Sequence, residues 1–111
     1  MSYFPVVVPG RRAFRKQVKQ PISVELSAKG RTVSGHLQTI SVNGGRALLS
    51  HKHEEGALAH VRLRTKTSCI SGVAQMLKSE SVGGGMMQQA FRLLALDDDD
   101  YQRLQAVLIA D

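Results

Sequence analysis

From Pro21 onward the chain alternates apolar and polar residues with a period of two, in short runs separated by turn signals. That period is a strong restriction. A strand turns successive side chains to opposite faces, whereas on a helix the same spacing would scatter the apolar residues around the axis. Ile22, Val24 and Leu26 form the first run, and Lys29-Gly30 marks a turn. Thr32 to Ile40 follows, with Val33 and Leu37 facing inward, and Asn43-Gly44-Gly45 breaks it. Ala47 to Leu49, His60 to Arg64, Ile70 to Leu77 around Val73, and Met87 to Leu96 complete the series, with turns at Glu54-Glu55-Gly56 and Gly83-Gly84-Gly85. Six short strands divided in this way predict an antiparallel barrel or sandwich. The period then changes. Tyr101, Leu104, Val107 and Leu108 recur at helical spacing behind Asp97 to Asp100, whose carboxylates suit the positive end of a helix dipole. A closing helix over about 97–110 is expected to pack on the strands.

At 111 residues the chain holds one core, and no second domain or internal repeat is visible. Residues 1–20 read as a flexible basic arm, and residues 21–111 as the folded body. The net charge of +6 is unevenly placed: no acidic residue precedes Glu25, while Arg11, Arg12, Arg15, Lys16 and Lys19 fall close together. Such a cluster favours an anionic partner. No apolar run reaches the roughly 18 residues of a membrane span, so no membrane insertion is expected. The first residues make a poor signal peptide, because Pro5 and Pro9 interrupt them and no basic stretch leads them. The single Cys69 forms no intramolecular disulfide. A cytoplasmic location is the resulting expectation.

Two features carry chemistry. The first is Arg11-Arg12-Ala13-Phe14-Arg15, which presents permanently charged, fork-shaped guanidinium groups. These can grip phosphate in bidentate fashion or meet the O6/N7 edge of guanine. The second is Thr39-Ile40-Ser41-Val42-Asn43-Gly44-Gly45, where a strand ends in small polar residues and glycine. There, hydroxyls and backbone amides offer hydrogen bonds, and glycine permits close approach. Read by itself, this second feature is also what an ordinary tight hairpin looks like.

Together, in this order, the two features resemble the PilZ domain family, marked by RxxxR in an N-terminal arm and [D/N]xSxxG at the end of the second strand. Arg11 and Arg15 match the first motif, with Pro21 opening the first strand. Ser41 and Gly44 match the second, and Thr39 stands where the family usually has Asp or Asn. The resemblance implies an all-β fold: a six-stranded antiparallel PilZ-type β-barrel with a C-terminal α-helix and a flexible basic N-terminal arm. It also implies a receptor for cyclic di-GMP rather than an enzyme. Arg11 and Arg15 would clamp the ligand with Arg12 helping, and Ser41 and Gly44 would form the turn beneath it. Thr39 has no carboxylate for the N1 and N2 donors of guanine, and Asn43 is the nearest amide able to compensate. No cofactor is expected. The partners implied are cyclic di-GMP and a protein acted on in trans, in motility, pili or biofilm formation. An adaptor of the same fold that has lost or weakened nucleotide binding, through Thr39, is the alternative.

Other constellations are weaker. His51 and His53 point the same way along an extended segment, but two ligands in a turn make a poor metal site, and a solvated loop is expected. His36 and His60 read as surface residues. Cys69 lies in an alternating run and is expected to pack. A barrel binding nucleic acid uses aromatic platforms, and with no tryptophan, two tyrosines and three phenylalanines this chain offers few; no nucleic acid partner is expected. No Ser/His/Asp or Cys/His arrangement supports catalysis.

Overall fold

The alternating runs pair as strands in a computed structural model that describes residues 2–3, 16–18 and 21–110. Strand β1 is Ser2–Tyr3, β2 is Lys16–Gln17, β3 is Ser23–Ala28 and β4 is Arg31–Ser41. Strand β5 is Gly44–Leu49, β6 is Leu58–Arg64, β7 is Cys69–Gly83 and β8 is Met86–Asp97, followed by helix α1, Asp98–Ala110. Lys29 and Gly30 both take positive φ, 53° and 76°. This is the signature of a two-residue hairpin turn whose twist matches the flanking strands, and it pairs Ala28 with Arg31.

The strands lie in the order β1-β8-β5-β4-β3-β6-β7, and β7 pairs back onto β8. The six long strands therefore close on themselves as an antiparallel barrel, leaving no open sheet edge in the ring. Alternation determines its filling. Val24 and Leu26 of β3, Val33, Leu37 and Ile40 of β4, Ala47 and Leu49 of β5, Val61 and Leu63 of β6, and Phe91, Leu93 and Leu96 of β8 are all buried. On β7 the inward set is Ile70, Ala74 and Met76. Val73 is only half-buried, and Cys69, one position out of phase with Ile70, is exposed rather than packed.

Helix α1 begins with Asp98, Asp99 and Asp100 in its first turn. The Asp100 carboxylate accepts a hydrogen bond from the Ser71 amide at 3.1 Å, which fixes the helix start to β7. Leu104 is fully buried, with Tyr101, Val107 and Leu108 packed partly against the core, so the helical stripe works as a lid on the barrel. The segment read as an arm is paired to the barrel at two places. Ser2–Tyr3 lies against Leu96–Asp97 of β8, and Lys16–Gln17 against Thr39–Ile40 of β4. Arg11, Arg12 and Arg15 lie outside the described residues.

His53 corrects the reading of a solvated loop. It is buried, at 6 % exposure, and its Nε2 donates to the Leu26 carbonyl at 2.6 Å. The reason is Gln89, a polar residue on the inward face of β8. Its Oε1 accepts from the His53 amide at 2.9 Å, while its Nε2 donates to the carbonyls of His53 at 2.8 Å and Leu77 at 2.9 Å. One side chain thus satisfies three backbone groups and draws the loop after β5 against the barrel. His51 is exposed. Among the described residues no three His, Cys, Asp or Glu side chains gather in a way that would hold a metal. A buried polar group left without a partner costs about 1–3 kcal/mol. Gln89→Leu, which strands three of them, is therefore expected to lower the unfolding free energy by more than about 2 kcal/mol in urea titration.

Candidate functional site

The outer face at the end of β4 is set by one inward residue. Ile40 enters the core at 2 % exposure, so its neighbours Thr39 and Ser41 turn outward. An irregularity between Leu37 and Thr39 leaves Gln38 out of the β4–β5 register, and the Gln38 carbonyl accepts instead from the Val18 amide at 3.0 Å. The residues directly after Arg15 are thereby held beside Thr39, with Gln17 opposite Thr39 and Lys16 opposite Ile40.

Ser41 is buried, and its hydroxyl organises the turn. Oγ donates to the Gly44 carbonyl at 3.2 Å and accepts from the Asn43 amide at 3.2 Å. The Asn43 carbonyl accepts from the Leu93 amide at 2.7 Å, tying the turn to β8. Gly44 lies directly opposite Arg92, with φ at 152°. A Cβ there would collide with the Phe91 carbonyl oxygen, part of a backbone that cannot step aside. Thr39, Ser41, Asn43 and Gly44 are thus brought together in one corner. The Ser41 O–H is committed to that corner's own backbone.

Thr39 is the exception. Its Oγ1 is buried and has no hydrogen-bond partner, and the same holds for Oε1 of Gln38 beside it. Buried polar atoms in this state are uncommon and call for an explanation. On the β5 side Thr39 faces Arg46. Arg46 is half-buried, and its guanidinium makes no hydrogen bond or ion pair among the described residues. One row further, Ser41 faces Gly44, Gly44 faces Arg92, and Arg92 faces Gln75, whose Oε1 accepts from Arg92 Nη2 at 3.2 Å. The two outward rows, Thr39–Arg46–Ala90 and Ser41–Gly44–Arg92–Gln75, contain two arginines and no carboxylate. The corner is suited to an anion. Sequence reasoning missed Arg46 and Arg92. Arg92 stands on an alternating run and reaches Gly44 only through the non-local pairing of β5 with β8, whereas Arg46 lies just before the run Ala47 to Leu49 and faces Thr39 through the β4–β5 register.

A cleft of about 630 Å³ lies elsewhere, lined by residues that include Glu25, His60, Arg62, Asp97 and Asp100. None of the four corner residues borders it, and its mixture of charges offers an anion no net attraction. The displaced titration of Glu54 is also remote from the corner. Lys29 donates to the Glu54 carboxylate at 2.8 Å, and that bond, helped by the lysine's charge, holds the Glu54 pKa below its usual value. Both side chains are exposed, so the pair contributes little to stability.

With this geometry in hand, the comparisons with known proteins converge. The family model described as PilZ domain matches residues 9–110. The chain belongs to the PilZ domain family. Its fold is similar to the PilZ domain with c-di-GMP of YcgR from Escherichia coli, at TM-score 0.72 and 19 % identity over 91 % of this chain and 90 % of that one. It is also similar to YcgR in complex with c-di-GMP from Escherichia coli, at TM-score 0.73 and 23 % identity over 93 % of this chain and 46 % of that one. The Bacillus subtilis inhibitor of motility MotI/DgrA matches at TM-score 0.71 and 14 % identity, over 91 % of this chain and 51 % of that one. The chain thus spans about half the length of the latter two. Among curated proteins no sequence relative matches. No helix among the described residues is long and apolar enough to cross a membrane.

The close approach at Gly44 has a direct consequence. Gly44→Ala forces either β5 or β8 to move and is expected to cost about 1–3 kcal/mol of stability, the scale of local backbone strain. Thermal unfolding monitored by circular dichroism measures it.

Proposed function

We propose that this PilZ domain is a receptor for cyclic di-GMP that acts on a protein partner in trans and performs no catalysis itself. In this reading Arg11 and Arg15 grip the ligand with Arg12 assisting, while Thr39, Ser41, Asn43 and Gly44 form the floor beneath it. The observation that carries the reading is the pairing of Lys16–Gln17 with Ile40–Thr39, because it anchors the chain next to Arg15 beside the second motif. The carboxylate-free face around Arg46 and Arg92 supports an anionic ligand. Two of the similar folds were solved with c-di-GMP, which makes that dinucleotide the ligand to test first.

Thr39 alters the affinity expected. It offers one hydroxyl where a carboxylate would accept from both N1 and N2 of guanine, and losing a bidentate base contact costs roughly 1–3 kcal/mol, or about tenfold or more in affinity. The same residue motivates a second reading, an adaptor of this fold without nucleotide affinity. The commitment of the Ser41 hydroxyl to its own turn favours that reading too.

Calorimetric titration with cyclic di-GMP separates the two. The receptor reading expects heat from the wild type and at least about tenfold weaker binding by Arg15→Ala, the loss of one charge-assisted contact. Equal heats from both proteins reject the arginine clamp. An inert wild type that also fails to gain binding as Thr39→Asp leaves the adaptor.

A further inference from the structure

We infer that Arg46 determines which edge of the base this site reads. The site takes guanine by its O6/N7 acceptor edge and is indifferent to the exocyclic N2 amine. This rests on the proposed binding of cyclic di-GMP and extends it to base selectivity.

The corner has no carboxylate in its outward rows. Guanine presents donors at N1 and N2, and acceptors at O6 and N7. A carboxylate is the strongest acceptor for the donor edge, and neither outward row around Thr39 has one, while Oε1 of Gln38 is buried beside it. Thr39 contributes a single hydroxyl with its oxygen buried. What stands across from it is Arg46, a group that only donates. Directly opposed residues on antiparallel strands keep their Cβ atoms about 4.5–5.5 Å apart, and here both side chains leave the same face. A base lying over Thr39 is therefore within reach of the Arg46 fork.

The state of Arg46 is the second observation. The half-buried Arg46 guanidinium makes no hydrogen bond or ion pair among the described residues, so none of them competes for its fork. It is also anchored on a central strand, between β4 and β8, with Gly45 and Ala47 directed inward on either side. Its planar fork is preorganised for a bidentate contact, so less is lost for each hydrogen bond formed. A guanidinium fork matches O6 and N7 of guanine. Adenine places an amino donor at the position of O6 and repels it.

The consequence is a selectivity pattern that differs from that of a carboxylate site. Cyclic di-IMP keeps O6, N7 and N1–H but lacks the N2 amine, whereas cyclic di-AMP replaces O6 with a donor. Calorimetry with the three cyclic dinucleotides against wild type, Arg46→Ala and Arg46→Lys reads the pattern. The wild type is expected to bind cyclic di-IMP as tightly as cyclic di-GMP, and cyclic di-AMP at least about tenfold more weakly. Arg46→Ala is expected to lose affinity for the first two and with it the discrimination against the third. Arg46→Lys keeps the charge without the fork, so it retains part of the affinity and loses the discrimination. Cyclic di-IMP binding about tenfold more weakly than cyclic di-GMP overturns the inference, because N2 is then being read. So does discrimination that survives both substitutions. If cyclic di-GMP binds and Arg15→Ala weakens it while the base pattern ignores Arg46, only this inference fails. A wild type silent to all three dinucleotides removes the receptor reading as well.

Discussion

The direction of one side chain governs the candidate site. Because Ile40 must enter the core, Thr39 and Ser41 have to leave it, and period-two geometry allows no intermediate arrangement. Slipping β4 by one residue would place two hydroxyls in the barrel interior and an isoleucine in water. The register is also fixed from the other side. Gly44 sits against the Phe91 carbonyl so closely that β5 and β8 meet there only without a side chain. The core and the corner are therefore two consequences of the same pairing, and the chemistry on the outside inherits the rigidity of the packing inside.

Closure extends that rigidity to groups far apart in sequence. Arg46 and Arg92 are 46 residues apart along the chain, yet β5–β8 pairing puts them on adjacent rows beside a turn that only Arg46 adjoins in sequence. The turn is held by its own bonds: Ser41 to Gly44, Asn43 to Ser41, and the Leu93 amide to Asn43. A floor built this way changes little when something binds to it. Charge complementarity there falls to fixed cations, and the orphaned hydroxyl of Thr39 marks where the corner's own bonding is incomplete.

Most of the fold was legible in the sequence because alternation and turn chemistry act locally. The six long strands, the Lys29-Gly30 and Gly83-Gly84-Gly85 turns and the closing helix all follow from neighbouring residues, and the family resemblance is upheld by the match over residues 9–110. Part of what escaped was non-local. His53 read as a loop histidine because nothing near it in sequence reveals Gln89, 36 positions away, as the partner that buries it. Cys69 read as packed because the phase of β7 was taken around Val73, while its buried set is Ile70, Ala74 and Met76. Arg46 escaped for a local reason: it directly follows Gly44-Gly45, but its place opposite Thr39 depends on the irregularity at Gln38 in the β4–β5 hairpin, which residue types alone do not reveal.

The described N-terminal residues meet the barrel at two places. The stretch that carries Arg11, Arg12 and Arg15 leaves a pairing with β8 at Tyr3 and enters a pairing with β4 at Lys16. The first pairing falls on Leu96–Asp97, where β8 passes into α1, and the second falls on Thr39–Ile40, beside the corner. Strand β4 therefore carries both the β2 pairing at Thr39–Ile40 and the Ser41–Gly44 turn, so the described N-terminal residues and the corner share one strand of the barrel.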